Sequence, residues 1–404
     1  MFNPFYAVKV NKKELYQELL TRGVDEIVVE KDLKKKLSSG KKLRVKHGVD
    51  PTTTDLHLGY AVVYEKLRQF QELGHIIVFL IGDFTARFGD PTDQKESRTL
   101  RSKDETTKTA KNYIEQLGKI LDIGKVEVRY NGEWGDEMSA EDLIHLVSKF
   151  TVARMLERDM FKNRIKEGRE IGYHEPIYPI LQGYDSVMLK SDVTVIGTDQ
   201  KFNELQARPL QQEAGQPPQD LMMMPLLVGT DGKRKMSQSL GNYIGLTEPA
   251  NEQYGKIMSI PDELLIPYFT SITRVSLEEI EEIGKELKGG LNPKDVKKKL
   301  AREIVTIYHS KNDAIEAEKE FENIFKNKQK PSNIPAAKLK VGEYLIPDLL
   351  VELKMASSKS EARRLVEQGG IRIDEQVKKE WKQKVKVKKG TLIQVGKKKF
   401  IEIK

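Results

Sequence analysis

Residues 43–60 read Leu-Arg-Val-Lys-His-Gly-Val-Asp-Pro-Thr-Thr-Thr-Asp-Leu-His-Leu-Gly-Tyr, and this stretch decides the fold. Its first seven residues mix apolar and polar side chains as a strand does, and Asp50-Pro51 ends that pattern. Apolar residues then recur at helical spacing over 58–73, with Asp55 as the expected N-cap. A strand, a tight turn and a helix N-terminus form a corner whose N–H groups and helix dipole favour an anion.

His57 and Gly59 lie at this corner. A glycine lets a flat ligand approach the backbone closely, and a histidine can donate a hydrogen bond to a phosphate. A histidine at a helix start is more often a cap or a packing residue, so these local features leave both roles open.

The run from His75 to Asp83 is apolar between its two polar ends, which is typical of a central parallel strand. Strand, helix and strand form a βαβ unit, and this unit predicts an α/β fold with a Rossmann-like, doubly wound parallel sheet. Ligands bind beyond the carboxyl ends of such strands. Asp83 and the turn that contains Asp90 are therefore expected at the ligand site.

Two later segments also carry polar residues at positions that predict a pocket. If the chain is helical after residue 178, Tyr178, Gln182 and Asp185 share one face of that helix, which is either a polar pocket or a solvated surface. The next apolar strand ends in a Gly-Thr-Asp-Gln turn, whose Asp199 and Gln200 should point into the cleft. An aspartate at this place is a common acceptor for ribose hydroxyls.

Residues 229–242 read Gly-Thr-Asp-Gly-Lys-Arg-Lys-Met-Ser-Gln-Ser-Leu-Gly-Asn. Two glycines near three adjacent basic residues and two serines indicate a mobile loop that clamps an anion when substrate is present. A lysine-rich surface turn is the alternative interpretation.

Composition excludes several classes of chemistry. The 404 residues are 38% hydrophobic and 32% charged, and no cysteine is present, so disulfides, zinc–cysteine sites and thiol catalysis are excluded. The six histidines have no metal-ligand spacing, so no metal site is expected. No apolar run approaches the roughly 20 residues that a membrane span needs. We therefore expect a soluble cytoplasmic protein without a membrane partner.

The sequence predicts several domains. We expect residues 1–235 to form the α/β domain that contains the ligand site, with a helical N-terminal arm over 1–42. Residues 236–326 have helical patterns and predict an α-helical domain, residues 327–340 form a linker, and residues 341–404 form a small α+β domain.

Most of the net charge of +8 lies in the last of these domains. Residues 341–404 contain 16 Lys and Arg against 9 Asp and Glu, a net charge of +7. Lys359, Arg363 and Arg364 share one predicted helix beside lysine-rich strands, which suits an RNA backbone. A solvated basic surface is the alternative interpretation.

Several motifs in their chain order point to a family. Asp50-Pro-Thr with His57-Leu-Gly-Tyr60, followed by Lys235-Met-Ser-Gln-Ser239, resembles the His-Ile-Gly-His and Lys-Met-Ser-Lys-Ser signatures of class I aminoacyl-tRNA synthetases. The residues at 178, 182, 185 and 197–200 resemble the amino-acid pocket of the tyrosyl-tRNA synthetase family, and the stretches 81–87, 151–158 and 240–245 resemble its bacterial branch. The stretch Ala356-Ser-Ser-Lys-Ser-Glu-Ala-Arg-Arg-Leu-Val resembles an S4-type RNA-binding domain.

This resemblance implies a two-step reaction. Tyrosine carboxylate attacks the α-phosphate of ATP, giving tyrosyl-adenylate and pyrophosphate, and the terminal ribose of tRNA(Tyr) then takes the tyrosyl group. Catalysis would consist of positioning and charge stabilisation. The resemblance also implies an anticodon-binding role for the helical domain, a homodimer, ATP with Mg²⁺ as substrate, and no permanently bound cofactor.

The same resemblance implies roles for individual residues. The catalytic residues would be His57, Tyr60, Lys235 and Gln238. The residues that contact ATP would be Asp50, Pro51, His57, Gly59, Tyr60, Gly197, Asp199, Lys235, Ser237 and Gln238. The residues that surround tyrosine would be Lys46, Asp90, Tyr178, Gln182, Asp185 and Gln200. RNA would contact Lys359, Arg363 and Arg364.

Two positions depart from the family signatures. Tyr60 replaces the second histidine of the first signature, and Gln238 replaces the second lysine of the second signature. Tyrosine keeps a hydroxyl donor, whereas glutamine cannot supply a cation to pyrophosphate. Lys233 or Arg234 on the same loop could supply that charge, but we expect slower amino-acid activation than in a family member with both usual residues.

Two alternative functions remain open on the sequence alone. Tryptophanyl-tRNA synthetases share the signatures, although Gln182, Asp185 and the basic C-terminal domain argue against that substrate. A non-catalytic RNA-binding relative could have lost the signatures at Tyr60 and Gln238. It would not need to keep a tyrosine pocket.

Overall fold

The computed structural model describes residues 12–51, 55–92, 103–325, 335–396 and 399–404. The chain divides into two compact units, Met1–Ala314 and Ile315–Lys404. The domain boundary predicted at residue 235 therefore lies inside the first unit. The beginning of the predicted arm, 1–11, and much of the predicted linker, 327–334, fall outside the described residues.

The first unit contains a six-stranded sheet. In chain order its strands are β1 Glu26–Val28, β2 Arg44–Val49, β3 Ile76–Ile81, β4 Val126–Tyr130, β5 Val193–Gly197 and β6 Asp220–Met224. Their spatial order is β1-β6-β5-β2-β3-β4, with β2 to β6 parallel and β1 antiparallel to β6. The strand order reverses between β2 and β5, which is the switch point of a doubly wound sheet. The predicted Rossmann-like fold is confirmed.

Helices connect these strands and continue after them. They are α1 Lys12–Thr21, α2 Glu30–Ser38, α3 Leu58–Glu72, α4 Lys103–Leu117, α5 Gly132–Gly135, α6 Ala140–Val147, α7 Val152–Met155, α8 Asp159–Lys166, α9 Tyr178–Leu189, α10 Lys201–Leu205, α11 Ala207–Glu213, α12 Ala250–Ile257, α13 Leu265–Ile272, α14 Leu277–Lys288, α15 Pro293–Tyr308 and α16 Lys311–Phe325. The stretch 43–60 folds as predicted, because β2 ends at Val49 and α3 begins at Leu58. Ala61, Leu67 and Phe70 of α3 are fully buried, as the helical spacing requires.

The N-terminal arm is not wholly helical, contrary to the prediction. Between α1 and α2 the chain forms β1, in which Glu26 pairs with Met223 of β6. All five residues of β6 are buried, and an apolar edge strand needs a covering element. An ion pair of 3.0 Å between Lys36 of α2 and Asp220 of β6 also attaches the arm to the sheet.

Residues 142–165, which the sequence favours as largely helical, fall in three short helices, α6, α7 and α8. Ser139 and Asp142 form a capping box that begins α6, and Thr151 accepts from the backbone N–H of Arg154 to begin α7. Each of these two caps starts a separate helix, so local side-chain bonds replace one continuous helix.

The helical segment after residue 249 packs against helix α3 of the sheet domain. Helix α13 contacts α3 as well as α14 and α15, and this shared packing places α12 to α15 in the same unit as the sheet. Tyr254, Phe269 and Ile304 are fully buried between these helices. No helix within the described ranges combines the length and apolar character needed to cross a membrane.

The second unit begins within α16 and has its own apolar core. Its strands are β7 Ala336–Ala337, β8 Gly342–Leu345, β9 Ile371–Ile373, β10 Gln376–Lys378, β11 Lys384–Val387, β12 Leu392–Val395 and β13 Lys399–Ile403, and its later helices are α17 Ile346–Glu352 and α18 Lys359–Glu367. One sheet has the order β10-β9-β12-β13-β7, and β11 pairs with β8. Leu349, Leu350 and Ile393 are fully buried in the core.

The sequence predicts most of this second unit correctly. Its sequence pattern predicts a helix over 359–367 and a hairpin that joins 392–395 to 400–403, and α18 and the hairpin of β12 and β13 lie there. Strand β7 lies in the segment predicted as a linker, because it pairs in parallel with β13 and thereby extends the sheet. Two alanines carry no strand pattern, so pairing with a distant strand decides this element.

Candidate active site

A cleft lies at the carboxyl ends of β2 and β5, at the switch point of the sheet. Its volume is about 540 Å³, within the usual range of small-ligand sites. Of the residues predicted to contact ATP or tyrosine, those that line it are Lys46, Asp50, His57, Gly59, Tyr60, Asp90, Tyr178, Gln182, Asp185, Gly197, Asp199, Gln200, Lys235, Ser237 and Gln238. Pro51 is buried and does not line the cleft, because neighbouring side chains of an extended segment alternate in direction and Asp50 faces it.

The first signature turn is built around His57. This residue is the N-cap of α3, and its Nδ1 accepts a hydrogen bond from the backbone N–H of Gly59 at 3.1 Å. His57 thus takes the capping role expected for Asp55. Because Nδ1 is an acceptor, the neutral ring carries its proton on Nε2. Burial lowers the pKa of His57 to about 4, so the ring is neutral near pH 7.

The residues after His57 form an aromatic surface. A Cβ at Gly59 would lie 2.8 Å from Cε1 of His57, so the cap requires a glycine there. The Tyr60 ring lies 4.7 Å from the His57 ring and stacks on Tyr64 at 6.2 Å between centroids. The position that departs from the family signature is therefore occupied by a packed side chain at the cleft wall.

The second signature, residues 235–239, is called here the signature loop. Its backbone is fixed by Asn242, which is 3% exposed. The Asn242 side chain accepts from Ser237 N at 2.9 Å, and its Nδ2 donates to the carbonyl of Lys235 at 3.1 Å. One amide side chain thus holds the loop in a defined shape. Closure of this loop upon substrate stays a prediction.

The two cations expected to replace the missing signature lysine do not line the cleft. Arg234 donates instead to Asp231 at 2.8 Å, and its side chain is 57% exposed. Lys233 is exposed as well. Gln238 donates from Nε2 to the carbonyl of Asp55 at 2.6 Å, which joins the signature loop to the first signature turn. In this arrangement the uncharged side chain of Gln238 links the two signatures through a hydrogen bond.

Lys235 and Asp199 face each other across the cleft. Lys235 Nζ donates to Asp199 Oδ2 at 3.2 Å, and both side chains are partly exposed. Asp199 directly follows β5, which is where the strand-end rule predicts a ligand contact. Partly exposed ion pairs contribute at most about 1 kcal/mol, so a ligand with stronger partners can separate this one.

Lys46, Asp185 and Glu204 are buried, and we call the part of the cleft around them the inner end. Lys46 Nζ donates to Ser186 Oγ at 2.6 Å and forms an ion pair with Glu204 Oε1 at 3.0 Å. Glu204 also accepts from Gln182 Nε2 at 2.8 Å. Removing two charges from water is costly, and these added hydrogen bonds offset part of that cost.

Asp185 is held by two donors. Trp134 Nε1 donates to one carboxylate oxygen at 2.9 Å, and Asn131 Nδ2 donates to the other at 3.3 Å. Burial raises the pKa of Asp185 to about 7, although Lys46 and both hydrogen bonds favour the charged form. When ionised, this carboxylate accepts hydrogen bonds only, so a ligand group that meets it must donate.

A chain of side-chain hydrogen bonds continues from the inner end toward the opening. Gln200 Nε2 donates to Asp90 Oδ2 at 2.8 Å, and Asn203 Nδ2 donates to the amide oxygens of Gln182 and Gln200 at 2.9 and 3.1 Å. Asn203 thereby fixes both amide orientations. Residues from three separate segments converge on one polar wall.

Helix α9 places its predicted polar stripe in the cleft. Tyr178, Gln182 and Asp185 all line it, which favours the pocket over the solvated helix face. The Tyr178 hydroxyl donates to Asp50 at 2.9 Å, and Thr85 donates to the other oxygen of Asp50 at 2.8 Å. These bonds join α9 to the end of β2.

Sequence reasoning missed several residues that build this site, among them Glu204, Asn131, Trp134 and Asn242. Glu204 lies four positions after Gln200, so helical spacing could have placed it in the pocket. Asn131 directly follows β4, and the strand-end rule could have found it. Trp134 and Asn242 act through other side chains or the backbone and leave no local sequence signal.

Comparison with known proteins agrees with this geometry. A family model for class I tRNA synthetases of the tryptophan and tyrosine type matches residues 38–326, and a model for the C-terminal domain of SYY-like tyrosine–tRNA ligases matches residues 326–403. The fold is therefore that of a class I aminoacyl-tRNA synthetase. Tyrosine–tRNA ligases of Moorella thermoacetica and Thermotoga maritima are 48% and 49% identical to it, over 95% and 96% of this chain and 94% and 96% of theirs. The chain belongs to the tyrosyl-tRNA synthetase family.

Solved structures share the fold at lower sequence identity. An Archaeoglobus fulgidus tyrosyl-tRNA synthetase complexed with L-tyrosine is 23% identical, with a TM-score of 0.60 over 76% of this chain and 99% of that one. A truncated mitochondrial enzyme of Aspergillus nidulans is 23% identical, with a TM-score of 0.63 over 78% of this chain and 99% of that one. At this identity the likeness supports the fold alone.

The raised pKa of Asp185 gives a direct prediction. In a ¹³C NMR titration, the carboxyl carbon of Asp185 should titrate with a midpoint near pH 7, because burial disfavours the charge. The Asp185→Asn variant lacks this signal and assigns it. A midpoint below pH 5 would mean that the surrounding donors outweigh burial and would contradict the assignment.

Proposed function

We propose that this protein acts as a tyrosine–tRNA ligase, which forms tyrosyl-adenylate in the cleft and then esterifies tRNA(Tyr). The observation that carries the proposal is Asp185, a buried carboxylate that accepts hydrogen bonds on both oxygens and lines the inner end. A phenolic hydroxyl supplies the donor that this carboxylate needs. Phenylalanine would leave the remaining lone pairs of this carboxylate without a further donor, which costs free energy in a buried site.

Tyrosine lies with its ring toward the inner end, where Asp185 and Lys46 meet the phenolic oxygen. Its ammonium group then lies near Asp90, Gln182 and Tyr178. Asp90 supplies a negative charge and Gln182 an amide oxygen, both oriented by the hydrogen bonds of the polar wall. This orientation leaves the carboxylate directed toward the phosphates.

ATP lies between the first signature turn and the signature loop. The N-terminus of α3 and the Nε2–H of His57 face the phosphates, as helix N-termini favour anions. Lys235 leaves Asp199 to hold the β- and γ-phosphates, and Asp199 then accepts from the ribose hydroxyls. The remaining ATP contacts are Asp50, Gly59, Tyr60, Gly197, Ser237 and Gln238.

The chemistry proceeds by displacement. A tyrosine carboxylate oxygen bonds to the α-phosphorus, the bond from that phosphorus to the bridging oxygen breaks, and pyrophosphate leaves with the electron pair. A ribose hydroxyl of tRNA(Tyr) then bonds to the adenylate carbonyl carbon and loses its proton to solvent, the bond from that carbon to the phosphate oxygen breaks, and AMP leaves with the electron pair. Magnesium enters with ATP as part of that substrate. No covalent intermediate with the protein is required, so positioning and charge stabilisation carry the rate enhancement.

Amino-acid-dependent exchange of labelled pyrophosphate into ATP tests this proposal. We expect exchange with tyrosine and at least about 100-fold less with tryptophan or phenylalanine, because neither side chain fills the polar inner end. Exchange with tryptophan instead of tyrosine would favour the alternative function of a tryptophanyl-tRNA synthetase. No exchange with any of the three, from protein that binds tRNA, would favour the non-catalytic alternative.

The two signature departures predict a slow activation step. Gln238→Lys and Tyr60→His together should raise the rate constant of tyrosyl-adenylate formation by about tenfold, because charge-assisted hydrogen bonds to the leaving pyrophosphate are stronger. Single-turnover formation of adenylate measures this step. Gln238→Met is the matched control, since it removes the tie to Asp55 without adding charge. An unchanged or lower rate in the double variant would refute the idea.

We also propose that the second unit binds tRNA through the exposed face of α18. Lys359, Arg363 and Arg364 lie on this helix, and the Arg363 guanidinium stacks 4.2 Å from the Trp381 ring. Guanidinium groups on one face suit contacts with phosphates. The helical segment 236–326 is proposed to contact the anticodon region, on the family resemblance.

Salt dependence tests the proposed RNA surface. The Arg363→Ala/Arg364→Ala variant should bind tRNA(Tyr) about tenfold more weakly, with a slope of log affinity against log salt that is smaller by about 1 to 2. Lys125→Ala removes one exposed cation from the first unit and serves as the matched control. An unaltered slope in the double variant would exclude phosphate contacts at these arginines.

We propose a homodimer and a cytoplasmic location for this protein. Large apolar side chains are exposed within one stretch of the first unit: Ile144 and Val152 at 65%, Ile165 at 54% and Tyr173 at 87%. Exposed apolar groups concentrated in one segment are typical of a subunit interface. Both ATP and tRNA are found in the cytoplasm, which supports that location.

A further inference from the structure

A cluster of exposed lysines lies at the amino ends of β2 and β5, and we call it the basic edge. Its members are Lys35 on α2, Lys41 and Lys42 in the segment before β2, and Lys190 at the end of α9. All four residues are exposed. Within the part of the chain that the structure describes, none of their ammonium groups forms an ion pair.

Hydrogen bonds bring the three segments of the basic edge to one surface. Arg44, which begins β2, donates from Nε to the carbonyl of Leu189 at 2.9 Å and from its backbone N–H to the carboxylate of Asp192 at 2.9 Å. Lys36 of α2 donates from Nζ to the carbonyl of Asp192 at 2.9 Å. Each segment thus has a basic-edge lysine one or two positions from a bond that joins it to the others.

Positive charge is concentrated at the basic edge although most of the chain is almost neutral. Residues 1–340 have a net charge of +1, which is the total of +8 less the +7 of residues 341–404. Residues 31–42 nevertheless contain six lysines against one aspartate. Two of these lysines, Lys34 and Lys36, form ion pairs, and the other four are exposed. Such a local excess of one sign creates a potential that attracts polyanions.

Lys190 occupies a backbone position that favours glycine. It is the C-cap of α9, with φ 50° and ψ 49°, in the left-handed region. A residue with a side chain costs roughly 1 kcal/mol there. The attraction between a cation and the helix C-terminus offsets part of this cost. The remaining cost has no counterpart in the fold, and it favours a role for the exposed ammonium group in binding.

The composition of the basic edge fits a nucleic-acid backbone better than a protein or a membrane. Protein interfaces are depleted in lysine and have an apolar centre, whereas α2 buries Leu33 and Leu37 and presents lysines outward. A helix that lies on a membrane needs an exposed apolar face, which α2 lacks for the same reason. Single-stranded RNA is held largely by aromatic stacking, and the basic edge has no aromatic member. Lysines alone suit the phosphates of a duplex.

We propose that the basic edge binds the phosphate backbone of double-helical RNA, without sequence preference, at a place separate from the cleft. The cleft lies at the carboxyl ends of β2 and β5, and a strand of this length spans roughly 17–20 Å. The members of the basic edge also differ from the residues proposed to contact tRNA on α18. This contact is therefore an additional interaction with RNA and takes no part in amino-acid activation.

Fluorescence anisotropy of full-length protein with a labelled RNA duplex of about 20 base pairs tests the proposal. All proteins carry Arg363→Ala/Arg364→Ala, which removes the contacts proposed for α18. Lys35→Gln/Lys42→Gln/Lys190→Asn then removes one lysine from each segment, and asparagine tolerates the left-handed region. The affinity should fall at least about tenfold, and the slope of log affinity against log salt should become smaller by about 2 to 3, because each phosphate contact contributes about 0.9.

A variant of equal charge controls for the loss of positive charge as such. Lys111→Gln/Lys125→Gln/Lys162→Gln removes three exposed lysines from three other segments of the first unit. Its affinity and salt slope should stay close to those of the parent protein, because these lysines do not form one surface. An equal fall in the two variants, or no fall in the basic-edge variant, would overturn the proposal.

A competitor separates RNA from an acidic protein as the ligand. Poly-L-glutamate, added at the same concentration of charges as unlabelled duplex, should displace the labelled duplex less effectively, because its charge density is lower. Equal displacement by the two competitors would identify a surface for acidic proteins and would overturn the assignment to RNA.

Pyrophosphate exchange with tyrosine keeps this inference separate from the proposed function. The rate should be the same in the parent protein and in both variants, because none of the altered lysines lines the cleft. A rate that falls together with RNA affinity in the basic-edge variant alone would overturn the proposal, since the substitutions would then reach the cleft. Absence of exchange in every protein would refute the proposed function, and the salt slopes would still decide the role of the basic edge.

Discussion

A buried ion pair between Lys46 and Glu204 joins the elements that form the cleft. Lys46 belongs to β2, Glu204 to α10, and the hydrogen bonds of the pair reach Ser186 and Gln182 on α9 and Gln219 just before β6. Burying two charges is costly, and apolar residues of similar volume often stabilise a protein as well or better. The pair therefore contributes to specificity rather than to stability, because it fixes where a polar ligand group can bind.

The two ends of the cleft differ in how their charged side chains are buried and paired. At the inner end, charges are buried and held by fixed partners, which suits discrimination between similar side chains. At the opening, Lys235 and Asp199 are partly exposed and their ion pair is weak. Each side chain can therefore leave the other and bind a ligand instead. His57 is kept neutral by burial and by its capping bond, and it contributes a directed N–H rather than a charge.

Local sequence patterns predict the elements that face the cleft better than those that support it. The switch of period from strand to helix at residues 43–73 and the apolar run of β3 determine the doubly wound sheet, because these patterns reflect burial directly. The stripe on α9 and the turn after β5 deliver their side chains as expected. Strand β1 and strand β7 escaped prediction, because each exists only by pairing with a distant edge.

Supporting residues escaped prediction for a related reason. Asn242 bonds backbone atoms of the signature loop, and Trp134 orients Asp185 from a different segment. Their roles depend on which segments meet in space, which no local pattern encodes. The loss of a positive charge at Gln238 was visible in the sequence. The hydrogen bond from Arg234 to Asp231 was not, because that bond depends on how the loop turns.

An experimental structure with tyrosine bound would test the central claim most directly, namely that the inner end of the cleft recognises the phenolic hydroxyl. The predicted result places the phenolic oxygen within hydrogen-bond distance of Asp185 and of Lys46 Nζ, with the ammonium group near Asp90 and Gln182. Tyrosine bound with its ring toward the signature loop, or at a position outside this cleft, would contradict it.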